Sequence, residues 1–241
     1  TEDGGHEPNV IPPYARSWYY VRAPERDQVE QIYQWVLDIA NGADLMAQTT
    51  HKVEFLTGCY NTLPNGCLAK LVTGNMREIG APVYTEEELT WAAELNKSIP
   101  AQQKREWLRR SRRPNWEALM QVSIDRSIPD PWDDGEKGGG STDVGDVSWN
   151  TPTLEFSTAA GILGTPGHSW QFAAQSGMSI GHKSLLYAAQ TIAASIIDLF
   201  IQRDLLKSVR EEFFARAGNR EYHSPLPPGL KPPLNQLDPH A

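Results

Sequence analysis

Residues 179–200, SIGHKSLLYAAQTIAASIIDLF, constrain the fold of this chain more than any other stretch. The run is mostly apolar and predicts one long helix. Its most apolar part, 185–201, is broken by Gln190, Ser195 and Asp198. It therefore lacks the uninterrupted run of roughly 18 apolar residues that marks a membrane span, and no membrane is expected as a partner. A further helix is predicted over 202–217, with Leu205, Leu206, Val209, Phe213 and Phe214 facing inward. With 241 residues, 39% hydrophobic and 22% charged, the chain can bury a sizeable core, and a soluble globular protein is expected.

The N-terminal part alternates differently. Residues 1–13 carry Gly4, Gly5, Pro8, Pro12 and Pro13 and read as loop. RSWYYVR, 16–22, is aromatic and β-branched and predicts a strand. Pro24 and Glu25 start a helix through about Ala43, with Val29, Ile32, Val36 and Ile39 at helical spacing. HKVEFLTGCY, 51–60, alternates Val53 and Phe55 against Lys52 and Glu54 and predicts a half-buried strand. Strand, helix and strand make one half of a small α+β sandwich. Asn61–Pro64 reads as a hinge, so a boundary is expected after residue 62.

Beyond it, helices are predicted over 65–79 and after Thr85, which has Glu88 at the third helical position as a capping box requires. Residues 101–137 read as charged and irregular, and strands are predicted at 144–149 and 153–160. The domains expected are 1–62 and 63–241, the latter ending in a proline-rich tail, 225–241. The chain opens with Thr1 directly on a turn-rich motif, which suggests a fragment or a processed piece.

A net charge of −8 argues against nucleic acid as a partner, because phosphate binding needs a basic face. The basic run Lys104–Arg113 is expected to be a solvated face pairing with this acidic chain. Cys59 and Cys67 lack the spacing of a structural zinc site and are expected as free thiols in a reducing, cytoplasmic setting.

Several residues could carry chemistry. His168 lies in GTPGHSW, where glycine and proline bring backbone close, as a ligand site at a strand end needs. A lone histidine is more often a structural residue. His182 sits at the start of the long helix, where an imidazole bonded at the helix terminus is the plainer reading. The segment GGGSTDVGDVSW contains Gly140, Thr142, Asp143 and Asp146. Its glycines could be a linker, or a backbone cradle for a carboxylate or oxyanion. Arg22 ends a strand and could grip a carboxylate with two parallel hydrogen bonds, or simply be exposed.

Taken in order, DGGHEPNVIPPYARSWYYVR, GGGSTDVGDVSW, GTPGHSW and IGHKSLLYAAQTIAASIIDL resemble the two-metal aminoacylase/carboxypeptidase amidohydrolases, most nearly their aminobenzoyl-glutamate utilisation branch. The resemblance implies an α/β fold: the C-terminal half of a zinc-exopeptidase-type mixed-sheet catalytic domain, with the second half of an inserted ferredoxin-like lid and dimerisation domain. It implies that Asn9 and Arg22 hold the carboxylate of an N-acyl amino acid such as p-aminobenzoyl-glutamate. Gly140 and Thr142 would shape the pocket, His182 would line it, and His168 would bind one of two zinc or manganese ions. The general base and remaining metal ligands would lie outside this chain.

As a homo-oligomer, or with the missing N-terminal half or a complementing subunit, such a protein would cleave an amide; alone it is expected to be inactive. Half of a sheet would leave an unpaired edge and exposed apolar surface. The alternative is a non-catalytic binding or assembly module.

Overall fold

The computed structural model describes residues 3–5, 7–132, 134–136, 138 and 140–232. Among them the chain is helical. The helices are α1 Arg26–Ala47, α2 Gly66–Ile79, α3 Glu86–Asn96, α4 Ala101–Arg110, α5 Trp116–Leu119, α6 Val144–Ser148, α7 Trp170–Ser176, α8 Ser179–Ile201 and α9 Arg203–Ala217. The last nine residues of the expected proline-rich tail, 233–241, lie outside the described residues. The chain divides into two units. One comprises Thr1–Asn61, Gly139–Asp146 and His223–Ala241; the other comprises Thr62–Gly138 and Val147–Tyr222.

The expected α/β fold is corrected. Among the described residues there is no sheet, and β pairing is limited to one isolated antiparallel bridge, Asp3 with Arg16. Residues 16–22, 51–60 and 153–160 form no strand. The physical reason is that a strand, unlike a helix, takes its hydrogen bonds from another segment, and among the described residues the only β pairing these segments make is the bridge at Arg16. Residues 144–148 are corrected further, to helix, and Trp149 lies in the turn that follows. Thr142 Oγ1 accepts from Val144 N at 3.2 Å, and Asp143 O accepts from Asp146 N at 3.1 Å, which turns the chain into α6. Residues 101–110 are also helix rather than irregular.

Helix termini follow their caps. Thr85 and Glu88 form the expected capping box on α3, with Thr85 N donating to Glu88 Oε2 at 2.7 Å and Glu88 N to Thr85 Oγ1 at 3.2 Å. Asn65 caps α2 through Leu68 N, at 3.0 Å. Glu212 on α9 adds a second anchor there, accepting from Gly66 N at 2.8 Å and Cys67 N at 2.7 Å. Burial pushes the Glu212 carboxyl up, but those amides, the Cys67 thiol and Arg216 outweigh it and hold it at about 2.

In the larger unit, Tyr84, Ala92, Ile99, Ile124, Ile162 and Ile180 form the core, with Leu89, Trp91 and Leu95 packed on it. Lys104 is buried beside it at 5% exposure. Its ammonium donates to Asn96 Oδ1 at 3.3 Å, Met120 O at 3.1 Å and Val122 O at 2.6 Å. Desolvation lowers its pKa. In the smaller unit, α1 buries none of its residues completely. Tyr33 meets Phe55 edge-on at 5.9 Å, while Trp35, Ile39, Leu45 and Met46 are exposed.

Candidate functional site

The residues expected to form a pocket sit as follows. In the smaller unit, Asn9 is exposed in a turn and, among the described residues, bonds to neither Arg22 nor Thr142. The Arg22 guanidinium lies over the Tyr20 ring, 5.4 Å from its centroid. Gly140 faces open space. The Thr142 hydroxyl is engaged by its own turn. In the larger unit, His168 is exposed with φ 57°, the left-handed conformation, just before Ser169, which caps α7 through Phe172 N at 3.2 Å. His182 is exposed on the first turn of α8, its backbone N–H donating to Met178 O at 3.1 Å.

No group of three or more His, Cys, Asp or Glu side chains able to hold a metal ion exists among the described residues. A site for two divalent cations needs several such donors at once. The expected zinc or manganese pair, and with it the metal-dependent amidohydrolase activity on N-acyl amino acids, is therefore withdrawn. The sheet that would have carried such a site is absent among the described residues as well.

What the larger unit presents instead is α8. Its buried residues are Ile180, Gly181, Ser184, Tyr187, Thr191 and Ser195, so beyond Ile180 the small and polar side of the helix faces inward. The hydroxyls on this side are hydrogen-bonded. Tyr187 donates its hydroxyl to Met76 O at 2.7 Å, and Asn75 on α2 donates to Ser195 Oγ at 3.1 Å and Asp198 Oδ2 at 2.9 Å. Thr191 and Ser195 return their hydroxyls to the carbonyls four residues back, at 2.8 Å each.

The aliphatic side of α8 faces outward. Leu185 is 70% exposed, Leu186 61%, Ile197 58% and Phe200 84%, with Ile192 and Ile196 at 47% each. Leu185, Ile192 and Ile196 lie at helical spacing on one stripe. The helix is long and apolar enough to cross a membrane by length and composition, and little of it is buried. Sequence reasoning found this helix but not its orientation. The signal was present: Ser184, Tyr187, Thr191 and Ser195 recur at three- and four-residue intervals among aliphatics.

The base of α8 is fixed electrostatically. Lys183 Nζ donates to Glu88 Oε2 at 2.7 Å and Ser179 Oγ to Glu88 Oε1 at 2.5 Å. Lys183, then Ser179, hold the Glu88 carboxyl down at about 2.

The chain is similar to a subunit of the p-aminobenzoyl-glutamate hydrolase of Escherichia coli, 33% identical over 96% of this chain and 50% of the relative. It is also similar to the Xaa-Arg dipeptidases of Homo sapiens, 25% identical over 88% of this chain and 38% of the relative, and of Mus musculus, 24% over 88% and 39%. No family model matches, and no solved structure does. The likeness to the E. coli protein does not carry over the mixed-sheet catalytic fold that the motif resemblance implied, because the described residues contain no sheet. The chain spans half the length of the first relative and under two fifths of the other two.

Proposed function

We propose that this chain is a non-catalytic assembly module that binds a complementing polypeptide through the apolar face of α8. The single observation that carries this is the orientation of that helix: hydroxyls inward and hydrogen-bonded, aliphatic side chains outward. Soluble proteins rarely leave a contiguous apolar patch without a use. The share of the relatives that this chain leaves unmatched supplies a candidate for the complementing polypeptide. That the E. coli relative is named as part of a multi-chain hydrolase agrees with this role.

The test uses a recombinant polypeptide covering the part of the E. coli protein that this chain does not match. Co-expressed with the full chain, it should give a stable 1:1 complex by sedimentation velocity. The variant Leu185→Gln/Ile192→Gln/Ile196→Gln should weaken that complex about 100-fold: a whole aliphatic side chain contributes about 1.5–3 kcal/mol on burial, and the exposed part of each of these three contributes about 1 kcal/mol. Its helicity should stay within error of wild type, because all three side chains face outward. Undiminished binding by that variant, or no complex at all, would overturn the assembly role, and partition into lipid vesicles in place of a complex would assign the face to a membrane.

A further inference from the structure

Ser17–Val21, in the smaller unit, make no backbone–backbone hydrogen bond among the described residues. Yet the segment's side chains follow the alternation of an extended chain. Trp18 and Tyr20 stack with ring centroids 5.9 Å apart and planes at 20°, and Arg22 lies over Tyr20. Side chains two apart that share a face are the signature of period-two backbone. Tyr19, between them, is 71% exposed, and Trp18 and Tyr20 are 50% and 70% exposed, so both faces are open. The segment is tied at its start by the Asp3–Arg16 bridge and by Arg16 donating to Glu54 at 2.7 Å. An aromatic, uncharged stretch with unused amides and carbonyls is a template for another chain to pair with.

We propose that Ser17–Val21 is a docking edge for an extended segment of the complementing polypeptide, joined by main-chain hydrogen bonds and flanked by the Trp18–Tyr20–Arg22 ladder. This rests on the assembly role above and names the partner's chemistry: a proline-free extended segment with apolar or aromatic residues at alternate positions. A second copy of this chain is the poorer occupant. Antiparallel self-pairing centred on Tyr19, the register that uses all five residues, sets Arg16 against Arg22 at both ends. Like charges directly opposed in a ladder are destabilising.

Hydrogen exchange read by mass spectrometry tests this on the full chain, alone and with the same recombinant part of the E. coli relative. Exchange of the Trp18–Val21 amides should slow about 100-fold in the complex. Tyr19→Pro, which removes one donor and fixes the backbone, should weaken association about 10-fold. Tyr19→Ala, which keeps the donor, should stay within about threefold. Unchanged helicity of both variants shows that they fold. A complex in which these amides exchange as fast as in the free chain overturns the docking edge and leaves the α8 interface standing. No complex overturns both. Protection that grows with concentration of the chain alone assigns the edge to self-pairing and also overturns the proposal.

Discussion

At the scale of single residues, close approach and unpaired polar atoms decide which positions cannot change. A Cβ on Gly145 would lie 2.1 Å from the Tyr60 carbonyl oxygen, backbone against backbone, so nothing flexible can yield. Gly145→Ala is expected to cost about 1–3 kcal/mol, the range for forced overpacking, read as a lower urea midpoint by tryptophan fluorescence. Lys104 is a different case. Its ammonium is the donor for three oxygens, one from a side chain and two from the backbone after α5. Lys104→Met keeps the length of the side chain but leaves those acceptors dry. The loss should be about 2–4 kcal/mol, by the cost of unsatisfied buried groups. Nothing in the sequence announced this: Lys104 stands in a run of charges that reads as solvated surface, and only the fold shows that Lys104 and Leu108 share the buried side of α4.

At the scale of elements, two carboxylates fasten helices to one another, Glu88 joining α3 to the start of α8 and Glu212 joining α9 to the start of α2. Both are held at about 2, below the ordinary value of 4.5. The folded state therefore binds fewer protons than the unfolded one between those values, and stability falls as pH falls. The contribution is whole above pH 4.5 and fades between 4.5 and about 2. Thermal melts followed by circular dichroism should show the midpoint dropping through that window. Glu212→Gln should be less stable than wild type at pH 6 and lose less on acidification; an equal slope in both proteins would remove Glu212 as a cause.

The helices α1, α2, α3, α8 and α9 were legible from the sequence because their evidence is local, whereas α4 read as irregular and α6 as strand. The Thr85–Glu88 cap and the apolar spacing of 65–79 and 202–217 lie within a few residues of the bonds they predict. The aromatic and β-branched stretches 16–22 and 51–60 have strand composition, but a strand exists only with a partner, and local composition cannot say whether one is present. The same limit applied to the expected site. Motif order can suggest a metal centre, but only packing shows whether enough donors converge.

At the scale of the whole molecule, stability turns on what covers the outward aliphatic side of α8. Water against Leu185, Leu186, Ile197 and Phe200 forfeits the stabilisation that burial would give, and beyond Ile180 the buried side of the helix is mostly hydroxyl-bearing rather than aliphatic. Such a chain should be marginal by itself and should gain stability by mass action when its partner binds the native state alone. At a hundredfold excess over the dissociation constant that gain is about 2.7 kcal/mol. Urea titrations of the chain with increasing amounts of the complementing polypeptide should therefore move the midpoint upward, and bound hydrophobic dye should be released in parallel. The Leu185→Gln/Ile192→Gln/Ile196→Gln variant separates the two effects. It should bind less dye when free and show a much smaller upward shift, because it has lost part of the face rather than the fold. A midpoint that rises equally in the variant would mean that the partner grips the molecule elsewhere, and that the outward face of α8 is surface and nothing more.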